Sequence, residues 1–248
     1  MSELRKLGFV VGAAVCAGFW STAAAGAEFQ QRTASTVIEL FTSQGCSSCP
    51  PADALLGKLA DRDGVIALTM PVDYWDYLGW KDTLASPANS ARQRHYASTR
   101  GDGQVYTPQV VVNGVKHAVG SYANDIDAAI LEATAATQPW QAAFTVKYEK
   151  DVLQIQIPAM TNGARGTVWL ADYRHAASVA IERGENSGRE ITYTNVVRKL
   201  TPIGEWDGSA MSLSVKLADV TTKGSDGCVI FLQKGDGGPI LGAVELRG

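Results

Sequence analysis

The sequence predicts an α/β domain followed by an all-β, sandwich-like domain, and three observations carry that reading. Between residues 35 and 137, short apolar runs alternate with amphipathic segments, as strands buried on both faces alternate with helices. Beyond Thr137-Gln138-Pro139 the texture changes to period-two alternation broken by Gly, Asn and Asp turns. The 248 residues, 46% of them hydrophobic, suffice to bury one or two cores. The expected boundaries are 28–138 and 139–248, behind a leader at 1–27.

The leader reads as a targeting segment. Arg5 and Lys6 precede the apolar run LGFVVGAAVCAGFW, and Ala25-Gly26-Ala27 offers a small-residue cleavage site. The run is short for a membrane span, so a cleaved signal is expected over the alternative of an uncleaved anchor. Cys16 follows Val15, where a lipid-anchored cysteine needs a small residue. The expectation is cleavage after Ala27, a periplasmic or secreted protein, and no membrane segment thereafter. The 22 Lys and Arg face 25 Asp and Glu without any basic run, which argues against nucleic acid or an anionic membrane as partner. Oligomeric state is not legible. Disulfides persist outside the cytosol, and Cys46, Cys49 and Cys228 remain after cleavage: one pair and one over, not a disulfide framework.

Along the first domain, STVIELF (35–41) predicts a buried strand. ADALLGKLA predicts a helix with Leu55, Leu56 and Leu59 on one face, and VIALTMPV (65–72) a second buried strand. The aromatic patch DYWDYLGW follows. Ser86-Pro87 is an N-cap and first-turn pair opening a polar helix to about Ser98. YTPQVVVNGVKHAVG predicts two strands joined at Asn113-Gly114, and ANDIDAAILEATAA a helix burying Ile126, Ile130 and Leu131. The order is β-α-β-α-β-β-α. In the second domain AFTVKYEKDVLQIQIP turns at Glu149 to Asp151. GTVWLADY, ASVAIER, REITYTNVVRKL, AMSLSVKL, CVIFLQKG and PILGAVELRG predict further strands.

The chemistry concentrates in FTSQGCSSCPPAD. A Cys-x-x-Cys at a helix N-terminus places a thiol beside the positive end of the helix dipole, which favours the reactive thiolate. Two intervening residues bring both sulfurs within bonding reach and leave the first the more exposed. Cys46 is then the attacking sulfur and Cys49 the resolving one. The easier helix start is near Cys49, with Pro50 and Pro51 in the first turn. Glu39, inside the apolar VIELF, is either a buried proton acceptor for the resolving thiol or the partner of a Lys or Arg. Thr107-Pro108 directly precedes the strand QVVV, where a cis bond would be a fixed feature.

These residues carry a resemblance. The strand, the acidic residue, the Cys46-x-x-Cys49 motif and the later Thr107-Pro108 resemble a thioredoxin-like domain, and VIELFTSQGCSSC resembles periplasmic disulfide oxidoreductases. ELFTSQGCSSCPPAD, VDYWDYLGWKD, YTPQVVVNG and RGENSGREITYTNVVR resemble the secreted domain-of-unknown-function family 1223 across nearly the whole mature chain. The thioredoxin comparison implies a nucleophile (Cys46), a resolving cysteine (Cys49), a cis-proline (Pro108) and a substrate-contacting Thr107. It implies thiols or disulfides of proteins as partners and no organic cofactor. Ser47-Ser48 departs from it, with neither proline nor histidine between the cysteines, and the loop from Glu39 is one residue longer.

Two other readings of the pair stay open: a copper-binding or metal-handling domain, and a non-catalytic module with a structural disulfide. His95, His117 and His175 stand at no ligand spacing from the cysteines, and three cysteines cannot make a four-cysteine zinc site. A loop so short gains little entropic stabilisation from a disulfide. Cys228, opening an apolar run, is expected to be a buried free thiol. Ligands gather beyond the carboxyl ends of parallel strands. Asp73, Tyr74 and Trp75 are therefore expected beside Cys46, with Tyr74 and Trp75 as substrate-binding candidates or as packing between domains. RGENSGRE (183–190) reads as a charged surface loop.

Overall fold

The computed structural model describes residues 29–137, 143–160, 165–235 and 237–248. The leader with its cleavage site and Cys16, and the expected boundary at 138–139, lie outside the described residues.

The chain runs β1 (Gln30–Ala34), β2 (Thr36–Thr42), α1 (Pro50–Ala60), β3 (Val65–Pro71), a 3₁₀ turn (Asp76–Leu78), α2 (Pro87–Arg100), β4 (Gln109–Val112), β5 (Lys116–Val119) and α3 (Ala123–Thr137). It continues β6 (Thr145–Glu149), β7 (Val152–Ile157), β8 (Gly166–Ala180), β9 (Glu190–Trp206), β10 (Met211–Lys216), α4 (Leu217–Val220), β11 (Gly227–Lys234) and β12 (Ile240–Arg247). The β-α-β-α-β-β-α order is present from β2 to α3. GTVWLADY and ASVAIER, expected as separate strands, form the single strand β8, which bends at a register shift between Asp172 and Tyr173. Among the described residues no helix is long and apolar enough to cross a membrane.

Two sheets organise these elements. Nine strands lie in the order β1-β12-β11-β8-β9-β3-β2-β4-β5, and three in the order β10-β7-β6. The smaller sheet covers the large one in sandwich fashion. Val146, Leu153, Ile155 and Ile157 pack against Val168, Leu170, Ile230 and Leu232. The turn at Lys150 and Asp151, both at positive φ, gives β7 the register that points its alternate residues inward.

The α/β and all-β segments share the large sheet. β2 pairs in parallel with β3 and antiparallel with β4, and β3 meets β9 in parallel at the single pair Thr69 and Val196. Side chains extend that short seam: Thr69 donates to the Thr194 carbonyl (2.5 Å) and Asn195 Nδ2 to the Ala67 carbonyl (2.9 Å). β1, which precedes the α/β segment, pairs with β12 at the opposite edge.

The two faces of β2 bury different things. Ile38 and Leu40 join Ala52 and Leu56 of α1 and Ile126 of α3 in one core. Val37 and Phe41 join Tyr96 of α2 with Tyr173, Val229 and Phe231 of the all-β segment in another. In α3 the buried positions are Ile126, Ala129, Ala133 and Thr137, spaced at helical intervals. Leu131 falls off that stripe and is 74% exposed, contrary to expectation.

Candidate functional site

The site is built where β2 ends and α1 begins. Cys46 and Cys49 form a disulfide with Cα atoms 5.4 Å apart. Cys49 is the N-cap of α1, with Pro50 and Pro51 as its first two helical residues. Proline is tolerated there because the first N–H groups of a helix have no partner within it. The same two prolines remove donors that would face an incoming anion. The Cys49 N–H is also engaged, by the Cys46 carbonyl (3.2 Å), and the Ala52 N–H by the Cys49 carbonyl (2.8 Å). Ser48 supplies a hydroxyl 3.4 Å from Cys46 Sγ.

The Thr107–Pro108 bond is cis. Gly120, whose N–H bonds the Pro108 carbonyl (2.9 Å), is closely packed: a Cβ there would lie 3.0 Å from Ala52 and 3.2 Å from Pro108. Pro108 thus sits against the first turn of α1. The Trp75 indole donates to Thr107 Oγ1 (2.7 Å), and its Cβ lies where a Gly45 side chain would be. Trp75 thus links Thr107, next to Pro108, to Gly45, the residue before Cys46. Tyr74 turns elsewhere, donating to Gln93 of α2 (3.0 Å).

Two expectations need correction. Cys46 is not the exposed sulfur: it is 1% exposed and Cys49 is fully buried. RGENSGRE is a surface loop as expected, in the 181–189 connection between β8 and β9, but one of its residues turns inward. Its Asn186 is buried and donates through Nδ2 to the carbonyls of Gln44 and Cys46, both at 2.9 Å. Glu185 accepts from the Ser47 N–H (3.3 Å), and Gly184 packs on Trp80, whose indole bonds Gln44 (2.7 Å). A loop of the all-β segment thus caps the Cys-x-x-Cys turn.

The second concerns Glu39, for which the alternative of an Arg partner holds. It is buried, but on the α2 face of β2, with Val37 and Phe41, whereas α1 and the cysteines lie over the other face. Arg92 grips its carboxylate through Nε (2.6 Å) and Nη2 (3.1 Å), and the Tyr96 hydroxyl donates to it as well. Gln233 of β11 takes another Arg92 donor (3.1 Å), so the pair ties α2 and β2 to the all-β segment. A carboxylate held this way is a structural ion and not a base for Cys49.

The unpartnered acid is Asp53, which reading from sequence missed. It lies four residues past Cys49 on the buried face of α1 and is 2% exposed. Burial lifts its carboxyl to about 8; the Thr42 hydroxyl partly offsets this and the charge of Asp82 adds to it. Among the described residues neither oxygen makes a close hydrogen bond; the Thr42 hydroxyl is the one group near enough to favour the carboxylate, and the Tyr193 hydroxyl is likewise unbonded. The signal was there: Cys49, Asp53, Leu56 and Ala60 recur at helical intervals, which puts an acid on an otherwise apolar face.

Elsewhere, Cys228 is a buried free thiol, pushed up to about 12 by burial and by the charges of Asp172 and Glu245. His117 bonds Tyr106 (2.9 Å) and approaches Asp102 (3.3 Å), and His175 bonds Asn195 (2.9 Å). Among the described residues no three His, Cys, Asp or Glu side chains converge in a group that could hold a metal ion.

These features define a mixed α/β protein with a large sheet that carries a disulfide at a helix N-terminus. The chain belongs to the family of proteins of unknown function DUF1223, whose model matches residues 37–233. It is similar to protein AGR_C_4864 from Agrobacterium tumefaciens, a solved structure 34% identical, with a TM-score of 0.74 over 88% of this chain and 96% of that one. HBP35 of Porphyromonas gingivalis shares the fold at 13% identity, with a TM-score of 0.57 over 86% of this chain and 75% of that one. A probable thioredoxin of Archaeoglobus fulgidus is 40% identical over 37 residues. That match spans 15% of this chain and 41% of the relative's length.

Proposed function

We propose that this protein exchanges thiols and disulfides with protein partners through Cys46 and Cys49, on a thioredoxin-like segment joined to an all-β one. The observation that carries this reading is the disulfide at the start of α1 with the cis Thr107–Pro108 bond packed against the same turn. The match to a probable thioredoxin supports it. Cys46 is the sulfur attacked by, or attacking, the partner. Cys49, one turn inward, resolves the mixed disulfide. Pro108 shapes the groove, and Thr107, held by Trp75, contacts the partner's chain. A secretory leader, as the pattern of residues 1–27 suggests, would carry this chemistry to the periplasm or outside the cell, where disulfides persist.

Cys46 is almost wholly covered and the 181–189 loop is bonded to its carbonyl, so exchange calls for that loop to move. The same burial is the one observation that favours an inert structural disulfide. Two measurements decide. A Cys49→Ser variant, which cannot resolve, is expected to accumulate Cys46-linked partners in an exporting host, while a Cys46→Ser variant captures none. The Cys46–Cys49 potential is expected above the range of structural disulfides, which lie below about −300 mV. A potential inside that range, with no captured partner, sinks the exchange reading.

A further inference from the structure

Exchange at Cys46–Cys49 has a proton to place. Cys49 passes between thiol, thiolate and disulfide sulfur, yet its side chain is fully buried and out of reach of bulk water. Resting on the exchange reading above, we propose that Asp53 takes the proton of the Cys49 thiol and returns it.

The placement comes from the helix. Cys49 caps α1, and the Asp53 N–H bonds the Cys49 carbonyl (3.1 Å). Residues at i and i+4 share a helix face with Cβ atoms about 5–6 Å apart. Helical side chains also lean toward the N-terminus, the direction in which Cys49 lies from Asp53. A buried carboxylate with a structural role has a counter-ion and close hydrogen bonds, as Glu39 does; among the described residues Asp53 has no cation and no close hydrogen bond, only the Thr42 hydroxyl near it.

The groups facing Asp53 are Thr42 from β2, Asp82 from the segment before α2 and Tyr193 from β9, with Cys49 on its own helix. None of these is a cation. Asp82 cannot take the role instead, because its oxygens already accept from the N–H groups of Gln44, Leu84 and Ala85. The resulting carboxyl, lifted to about 8, suits a group that both gives and takes a proton near neutrality.

The step balances in both directions. A partner thiolate attacks Cys46 Sγ and forms the mixed disulfide. The Cys46–Cys49 bond breaks with its electron pair on Cys49 Sγ, and Asp53 in its acid form protonates that thiolate. The partner's second thiolate then attacks the partner's own sulfur and releases Cys46 as thiolate, so the pair gains the two electrons that the partner dithiol loses. In reverse, the Asp53 carboxylate takes the Cys49 proton, Cys49 attacks Cys46 Sγ, and the partner thiolate leaves.

The test needs no natural partner. Reduced protein is mixed with 5,5′-dithiobis(2-nitrobenzoate). The first nitrothiolate released reports attack by Cys46; the second, independent of reagent concentration, reports resolution by Cys49. Followed by stopped flow from about pH 5 to about pH 10, the wild-type second phase is expected to rise with an inflection near 8. Asp53→Asn is expected to slow it about 100-fold at neutral pH and to erase that inflection, leaving only the rise of the thiol itself. Asp53→Glu is expected to restore much of the rate with a displaced inflection, which keeps the assignment testable if the Asn variant does not fold. An Asp53→Asn rate equal to wild type overturns it, and so does an equal slowing at every pH, the mark of a merely structural role. Absence of any second phase in wild type refutes the exchange reading itself, and the role of Asp53 with it.

Discussion

The two faces of β2 bury two acids to the same 2% exposure and treat them oppositely. On the α2 face, Glu39 is saturated by Arg92 and Tyr96, and Arg92 lies over the rings of Tyr96 and Phe231. On the α1 face, Asp53 meets Thr42, Asp82 and Tyr193, and among the described residues it finds no cation and no close hydrogen bond. The first arrangement holds a charge in place. The second keeps a proton on a group that would shed it in water. Burial alone therefore does not identify a reactive acid; the inventory of its partners does.

Opposite responses to substitution follow, and they are the largest expected effects. Arg92→Ala leaves the Glu39 charge buried without its counter-ion and is expected to cost about 3–5 kcal/mol of stability in denaturant unfolding. A combined Arg92→Met and Glu39→Gln change should recover most of that loss. Asp53→Asn should do the reverse and stabilise above neutral pH. In the folded protein Asp53 keeps its proton up to about 8, against 3.8 as the reference value, so the native state binds more protons than the unfolded chain between those limits. Its contribution is complete at low pH and is lost as pH rises, at about 1.4 kcal/mol per pH unit in that window. The difference between wild-type and Asp53→Asn stability curves should grow by about 2–3 kcal/mol from pH 5 to pH 7. A flat difference curve would return Asp53 to the same class as Glu39.

Why one acid was legible in sequence and the other was not is a matter of range. The element order from β2 to α3, the helix start behind Cys49, the Ser86 cap and the Asn113-Gly114 turn all rest on near neighbours, and local chemistry decides them. Strand parity placed Glu39 opposite Ile38 and Leu40. It could not say which side α1 would cover, because the crossover between β2 and β3 decides that. The shared sheet was illegible for the same reason: β3 meets β9 at one residue pair, across more than a hundred residues of chain. Asn186 reaches Cys46 across a separation of 140 residues, and nothing in RGENSGRE announces it.

That loop offers the next largest effect, since it separates the disulfide from solvent on the Cys46 side much as the core encloses Asp53 on the other. Asn186→Ala removes two hydrogen bonds from the Gln44 and Cys46 carbonyls, each worth about 0.5–1.5 kcal/mol net. Alkylation of Cys46 in the reduced protein is expected to quicken about 10-fold, which corresponds to about 1.4 kcal/mol of loop opening. Cys228, held near 12 by burial, should remain unlabelled in both proteins and serve as the internal standard. Equal Cys46 rates would mean that Trp75, not the loop, guards the sulfur.

The smallest effect concerns the prolines that follow the cysteines. A thiolate at Cys46 is stabilised by the helix dipole and by the Ser48 hydroxyl, but Pro50 and Pro51 withhold the N–H groups that a helix start ordinarily offers. Less stabilisation of the reduced form means a more reducing pair, as the converse holds for strongly oxidising ones. Pro51→Ala restores one donor at the second helical position. A hydrogen bond to a charged group contributes about 1.5–3 kcal/mol, and the Ser48 hydroxyl already beside Cys46 lowers what one more donor adds. The Cys46–Cys49 potential, measured against glutathione, should therefore rise by about 30 mV. The Cys46 pKa should fall with it, because both quantities read the same thiolate. A potential that moves while the pKa stays still would place the effect of the substitution on Cys49, and so return the question to the proton that Asp53 holds.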